Sequence, residues 1–300
     1  MRILLLGKNG QLGWELQRSL LPLGEVIVLA RDSQNFCGDL MNLKGLANTV
    51  KKIRPDVIVN AAAYTAVDQA ENEADLVRII NSDAPEVLAK EAKILDALLI
   101  HFSTDYVFDG QGDHAWLETD ATNPLNVYGV TKLAGEQAIR NINCNHLIFR
   151  TSWVFSARGN NFAKTMLRLA QERNSLTVID DQYGAPTGAE LLSDVTAHAI
   201  RTVLQQSGLE GLYHVAAAGE TSWYHYARFI VDSALKAGVN LKIKPDQIKS
   251  VPSEAFHVAA KRPKNSRLNT AKLEKAFNLK MPHWKTGVSR MLTEIIENKL

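Results

Sequence analysis

Cysteine is scarce in this 300-residue chain, where Cys37 and Cys144 are the only two. Two isolated thiols make neither a disulfide framework nor a thiolate metal site, and they point to a reducing, cytoplasmic setting. A dominant charge is missing too. The 34 Lys and Arg nearly cancel the 32 Asp and Glu, leaving a formal +2. That excludes a broad basic footprint for nucleic acid or an anionic membrane. No apolar stretch approaches the roughly 20 residues of a membrane span. The opening Met1–Gly7 segment carries a short apolar run ended by glycine, too short for a signal peptide, and reads as a buried first strand. Internal repeats and low-complexity segments are also absent.

What is present is a patterned 46% of hydrophobic residues, ample for a core. Short apolar runs without polar alternation fall at Ile3–Leu6, Val26–Leu29, Val57–Val59, Leu98–Phe102 and Leu147–Phe149. Such runs suit parallel strands covered on both faces. Between them lie amphipathic stretches near Gln11–Leu20, Leu43–Ile53, Ala74–Ile80, Ala84–Leu95 and Val127–Arg140. The rhythm predicts an α/β fold built on a doubly wound parallel Rossmann sheet, with ligands at the carboxyl ends of the strands. Beyond about residue 155 the rhythm loosens. Asn161–Arg173 and Ala189–Gln206 look helical, and Gly211–Val215 can add a strand. The expected division is a dinucleotide-binding domain of residues 1–154 and 188–217, with a smaller, discontinuous substrate-binding lobe of 155–187 and 218–300.

The loop Gly7-Lys8-Asn9-Gly10-Gln11-Leu12-Gly13 follows the first strand and opens a helix. Glycines there allow a tight turn and close approach to a pyrophosphate, while the helix amino end offers free N–H donors. The G-x-x-G-x-x-G spacing alone is weak and also fits a structural turn. Its position directly after strand one favours the dinucleotide. At the end of the second strand Ala30-Arg31 stands where an acidic residue would hold adenosine ribose hydroxyls. With Lys8 in the loop, Arg31 favours NADPH, although a merely solvated Arg31 is the rival reading. Asp32 keeps NADH open as the alternative.

Tyr128 and Lys132 are four apart, on one face of a predicted helix. The spacing is cheap, since 7 Tyr and 19 Lys give roughly 0.4 chance matches. The chemistry makes it more informative. Carbonyl reduction needs hydride on carbon and a proton on oxygen, and a neighbouring ammonium is expected to bring a phenol toward the working pH. Thr104, in the Ser103-Thr104-Asp105 segment after the fourth run, can donate to the substrate oxygen.

Together these features resemble the extended short-chain dehydrogenase/reductase superfamily, and within it the dTDP-4-dehydrorhamnose reductases. The closer resemblance rests on Cys37-Gly38-Asp39-Leu40, Val59 through Asp68, and Ser103 through Phe108. Further matches are Pro124 through Gly129, Arg150 through Val154, Asp181 through Thr187, Arg262-Pro263 and Asn265-Ser266. They run from Ile3 to about Asn269.

The resemblance implies NADPH-dependent reduction of the 4-keto group of dTDP-4-dehydro-L-rhamnose, the last step of dTDP-L-rhamnose synthesis. It makes Tyr128 the proton donor, Lys132 its tuner and a ribose ligand, and Thr104 the partner of the substrate oxygen. Gly10, Gln11 and Leu12 would lie under the pyrophosphate. Asp39 and Leu40 would flank the adenine, and Ala61, Ala62, Ala63, Tyr64 and Thr65 would line the cofactor's path. Asp105 and Trp153 would contact the sugar nucleotide. Asp39 also fits a plain turn residue, and Trp153 a core aromatic. Family members can hold magnesium at a subunit interface, which offers Glu190 and Glu294 as ligands and a homodimer as the assembly. Ala30 departs from the family's frequent acidic residue and weakens the case for NADH. A 4,6-dehydratase would need Asp-Glu after the hydroxyl, where this chain has Asp105-Tyr106. An epimerase and a non-catalytic, cofactor-binding regulatory subunit remain the alternatives.

Overall fold

Six strands form one all-parallel sheet in the computed structural model, which describes residues 1–297. They are β1 (Arg2–Leu6), β2 (Glu25–Leu29), β3 (Val57–Asn60), β4 (Leu98–Thr104), β5 (His146–Thr151) and β6 (Gly211–His214). Their spatial order is β6-β5-β4-β3-β1-β2. The order reverses between β1 and β3, which opens a crevice at their carboxyl ends.

Strands without polar alternation need cover on both sides, and they have it. Ile3 and Leu5 of β1 enter one apolar cluster, while Leu4 and Leu6 enter another. On the first side Leu16 and Leu20 of helix Gln11–Leu20 meet Leu192, Val195 and Ile200 of helix Ala189–Gln205. On the second side the cover comes from helices Leu43–Ile53, Ala84–Leu95 and Val127–Ile142, through Leu46, Leu88 and Ile139. Each such side chain contributes roughly 1.5–3 kcal/mol on burial.

A third cluster collects Met166, Leu167, Tyr226, Ile230, Trp284 and Val288. These come from helices Phe162–Glu172, Trp223–Lys236 and Trp284–Glu297. A parallel pair, Leu176–Ile179 with Ile248–Val251, packs on it. Helix Ala271–Phe277 instead returns Leu273 and Phe277 to the sheet's cluster.

The chain between Ala74 and Leu95 is read from sequence as two helices. In the structure Ala74–Arg78 and Ala84–Leu95 are joined by a π-helical turn, Ile79–Asp83. Such turns often mark functional positions. This one buries Asn81, which accepts from the Tyr64 N–H at 2.9 Å and donates to the Tyr64 carbonyl at 3.1 Å. The segment after β3 is thereby clamped by its backbone. Among the described residues no helix is long and apolar enough to cross a membrane.

Candidate active site

Three glycines divide the work of the loop after β1. Gly7 has φ +91°, and a Cβ on it would lie 2.8 Å from the Ala62 nitrogen. A Cβ on Gly13 would come within 2.0 Å of the Gly7 carbonyl oxygen. Both are needed to fold the loop down and seat the helix. Gly10 is open by comparison, its nearest would-be contact being 3.4 Å away. It stands at the helix amino end, where no side chain supplies a cap. That leaves space and unshared N–H donors in front of the helix, which fits a pyrophosphate. Asn9 is exposed, Lys8 is half-buried, and Leu12 packs against the sheet's cluster. The Gln11 side chain turns elsewhere: its Oε1 accepts from Asn161 Nδ2 at 3.0 Å, tying the loop to the chain beyond β5.

The adjoining strand ends carry the other expected cofactor contacts. Arg31 is exposed beyond β2 and makes no ion pair among the described residues. Asp39 accepts from the Met41 N–H at 3.1 Å, so its turn role is real, while Leu40 is buried. Gly38 is pressed on Ala30, where a Cβ would lie 2.5 Å from the carbonyl oxygen. After β3, Ala61 and Ala62 are half-buried and Ala63 and Thr65 exposed. The Tyr64 hydroxyl donates to Glu73 at 2.6 Å.

Tyr128, Lys132 and Thr104 come together because a helix and a strand end are locked to each other. Asn126 caps helix Val127–Ile142, accepting from the Gly129 N–H at 2.8 Å. A Cβ on Gly129 would come within 2.2 Å of the Tyr106 carbonyl oxygen, so glycine is what lets the helix seat there. Tyr128 then meets the Tyr106 ring edge-on, with centroids 5.7 Å apart, and the Thr104 hydroxyl is close enough to favour its phenolate. Thr104 also interacts with its neighbour, its hydroxyl donating to Asp105 Oδ1 at 3.1 Å.

Burial dominates the electrostatics of this group. It pushes the Tyr128 phenol up to about 12, opposed by the nearby Thr104 hydroxyl and helped by the Asp105 charge. It pushes Asp105 up to about 7, opposed by Ser266 and Thr104. Burial also brings Lys132 down to about 8, against the pull of Glu136. The expectation from sequence that Lys132 lowers the phenol is therefore not met by these residues alone. The Lys132 amine is engaged with β4, donating to the Phe102 carbonyl at 2.5 Å and lying 3.1 Å from His101 Nε2.

A cavity of about 1030 Å³ opens beside the pair, lined by Tyr106, Leu125, Phe162, Gln182, Trp223 and Arg262 among others. Tyr106 is its link to Tyr128. Trp153 has φ +49°, a conformation rare for a bulky residue. It stacks on Trp223 at 3.5 Å and is backed by Gly184, where a Cβ would lie 2.8 Å from the indole. Trp223 thus faces the cavity with Trp153 behind it. No sequence signal singled out Trp223. Nor did any mark His101, which sat within an apolar run. Several buried polar atoms near the ends of β4 and β5 lack partners among the described residues: the Ser103, Thr151 and Ser152 hydroxyls and Asp105 Oδ2. Orphans of this kind fit a polar ligand.

Glu190 and Glu294, expected as magnesium ligands at a subunit interface, gain no support as a site within this single chain. Glu190 Oε1 instead faces Arg290 Nη2 at 3.4 Å, a pairing with a largely exposed side chain. Among the described residues no group of three or more His, Cys, Asp or Glu is placed to hold a metal ion. Glu15 does sense both carboxylates, which with burial hold its own carboxyl above the ordinary range.

The doubly wound sheet, the uncapped glycine loop and the Thr–Tyr–Lys group define a Rossmann-type oxidoreductase. The chain belongs to the RmlD substrate binding domain family, whose model matches residues 1–297. It is 58% identical over 296 residues to a dTDP-4-dehydrorhamnose reductase of Salmonella typhimurium, covering 98% of each chain. A solved dTDP-4-dehydrorhamnose reductase from Clostridium acetobutylicum superposes with TM-score 0.88 at 34% identity, over 99% of this chain and all of that one. The Bacillus anthracis reductase, solved in complex with NADP, gives TM-score 0.86 at 35% identity over 98% and 99%.

Proposed function

We propose that this chain reduces the 4-keto group of dTDP-4-dehydro-L-rhamnose with NADPH, giving dTDP-L-rhamnose. The observation that carries the reading is the junction of Thr104, Tyr128 and Lys132 beside the cavity, at the rim that holds the glycine loop. Close relatives bear the name of that activity, and one solved relative holds NADP.

NADPH, when bound, supplies the hydride. Gly7, Gly10 and the helix amino end receive the pyrophosphate, and Arg31 with Lys8 receives the 2′-phosphate. Asp39, Leu40 and Ala61–Thr65 border the remaining path. Thr104 hydrogen-bonds to the substrate carbonyl oxygen and orients it. The high affinity of Tyr128 for its proton keeps the phenol protonated at neutral pH, ready to transfer that proton to the developing alkoxide. Lys132 holds the ribose and favours the phenolate as the proton leaves. Asp105 and the Trp153–Trp223 stack border the sugar nucleotide.

In this reading the lobe of residues 155–187 and 218–300 receives the nucleotide sugar. The protein works as a cytoplasmic enzyme, with a homodimer as the assembly to be checked by sedimentation. The deciding assay incubates purified protein with dTDP-4-dehydro-L-rhamnose and NADPH, following oxidation at the nicotinamide band and identifying the sugar product. Substrate-dependent oxidation yielding dTDP-L-rhamnose is expected, and its absence would overturn the proposal.

A further inference from the structure

The amine of Lys132 is backed by a buried polar chain that the reduction itself does not employ. His101 lies on β4, three residues before Thr104, and is only 1% exposed. Its Nδ1 is 3.2 Å from Asn60 Nδ2 on the neighbouring β3, and its Nε2 is 3.1 Å from Lys132 Nζ. Asn60 and His101 are direct partners in the sheet register.

Hydrogen-bond directions along this chain can be assigned from its far end. The Ala62 N–H can only donate, and it donates to Asn60 Oδ1 at 3.2 Å. The Asn60 amide is thereby oriented with its NH2 toward His101. Nδ1 must then be the acceptor, so a neutral His101 carries its proton on Nε2. That N–H points at Lys132. An ammonium has three donors and no acceptor, so a charged Lys132 would set donor against donor. A neutral amine resolves the chain: it accepts from His101 and donates to the Phe102 carbonyl. Protonating His101 as well would place a second charge on the same buried pair, and burial together with Lys132 already holds its pKa well below the ordinary range.

The surrounding charges do not reverse this. Glu136, one turn along the same helix, has both oxygens engaged by Arg150 of β5, at 2.9 and 2.6 Å. Tyr128, one turn back, is a protonated phenol, and Asn60 on β3 carries no charge. We infer that His101, oriented by Asn60, is a positioning residue that favours the neutral amine form of Lys132 in the cofactor-free protein, so that cofactor binding draws a proton from solvent onto the neutral fraction. The coupling to cofactor rests on the function proposed above; the protonation state of free Lys132 does not.

The test is lysine side-chain NMR on the cofactor-free protein, with the Lys132 signal identified by its loss in Lys132→Met. Lys132 is expected to titrate at about 8, apart from the surface lysines. His101→Gln can turn an amide oxygen toward Nζ, and Asn60→Asp can draw the histidine proton to Nδ1 and free Nε2 as an acceptor. Both variants are expected to move the Lys132 midpoint upward, which a merely structural role would not do; if one fails to fold, the other decides. Titration of wild-type Lys132 among the surface lysines would overturn the inference, as would an unmoved midpoint in a folded variant. Calorimetry in buffers of different ionisation heat adds the coupling: NADPH binding at about pH 8.5 is expected to take up about three-quarters of a proton, and none in His101→Gln. If Lys132 titrates at about 8 but the reductase assay fails, the function falls and the lysine assignment stands. If turnover is full while Lys132 titrates with the surface lysines, the function stands and the lysine assignment falls.

Discussion

Gly13 lies against Gly7 so closely that a β-carbon on the first would come within 2.0 Å of the carbonyl oxygen of the second. The neighbour is backbone and cannot swing aside. Gly13→Ala is therefore expected to destabilise the fold by roughly 3 kcal/mol or more. Gly10, with ordinary extended backbone and 3.4 Å of clearance, offers a control. Gly10→Ala is expected to cost under about 1 kcal/mol yet weaken NADPH binding by about tenfold or more, since its methyl enters the phosphate path. Urea unfolding beside cofactor titration separates the two. Equal stability loss in both variants would show that the loop packs differently.

Asp105 makes a pH-dependent prediction. Burial raises its carboxyl from 3.8 to about 7, and Oδ2 has no partner among the described residues. The folded state holds this proton more tightly than the unfolded chain does. The associated stability is fully present below about pH 4 and is lost as pH rises through about 7. Asp105→Asn, which cannot ionise, is expected to be more stable than wild type by roughly 2–4 kcal/mol at about pH 8. That advantage should fade toward about pH 4. A pH-independent difference in urea midpoints would mean that Asp105 ionises as freely in the fold as outside it.

Much of this architecture is legible in the apolar rhythm, because parallel strands buried on both faces leave uninterrupted runs such as Leu4–Leu6 and Val57–Val59. The glycine loop and the Tyr128–Lys132 spacing are local patterns, and local patterns survive in sequence. What sequence could not supply are relationships across the sheet. His101 acquires meaning only from its register with Asn60 and its distance to Lys132. Trp223 becomes part of the cavity because helix Trp223–Lys236 brings its ring onto Trp153. The magnesium expectation concerns a subunit interface, and pairing carboxylates remote in sequence gave no view of Arg290 at Glu190.

Arg31 tests cofactor preference. Its guanidinium is exposed beyond β2 and has no carboxylate partner among the described residues. A charged hydrogen bond to a 2′-phosphate contributes about 1.5–3 kcal/mol, so Arg31→Ala is expected to raise the KM for NADPH by about 10- to 100-fold. The KM for NADH should change by less than about twofold, since NADH lacks that phosphate. Parallel losses with both cofactors would place Arg31 away from the 2′ position.

Tyr128→Phe removes the proposed acid while keeping the ring against Tyr106 at its 5.7 Å centroid spacing. Turnover is expected to fall about 100-fold or more, the scale of a positioned general acid. Cofactor affinity and urea midpoint should remain close to wild type, because Gly129, Asn126 and Lys132 still seat the helix. Thr104 sharpens the comparison: Thr104→Ser keeps the hydroxyl that donates to Asp105 and favours the Tyr128 phenolate, whereas Thr104→Val removes it. The serine variant should retain most activity and the valine variant should lose it. Near-normal turnover in Tyr128→Phe would show that another group delivers the proton, and the buried carboxyl of Asp105 would be the first to examine.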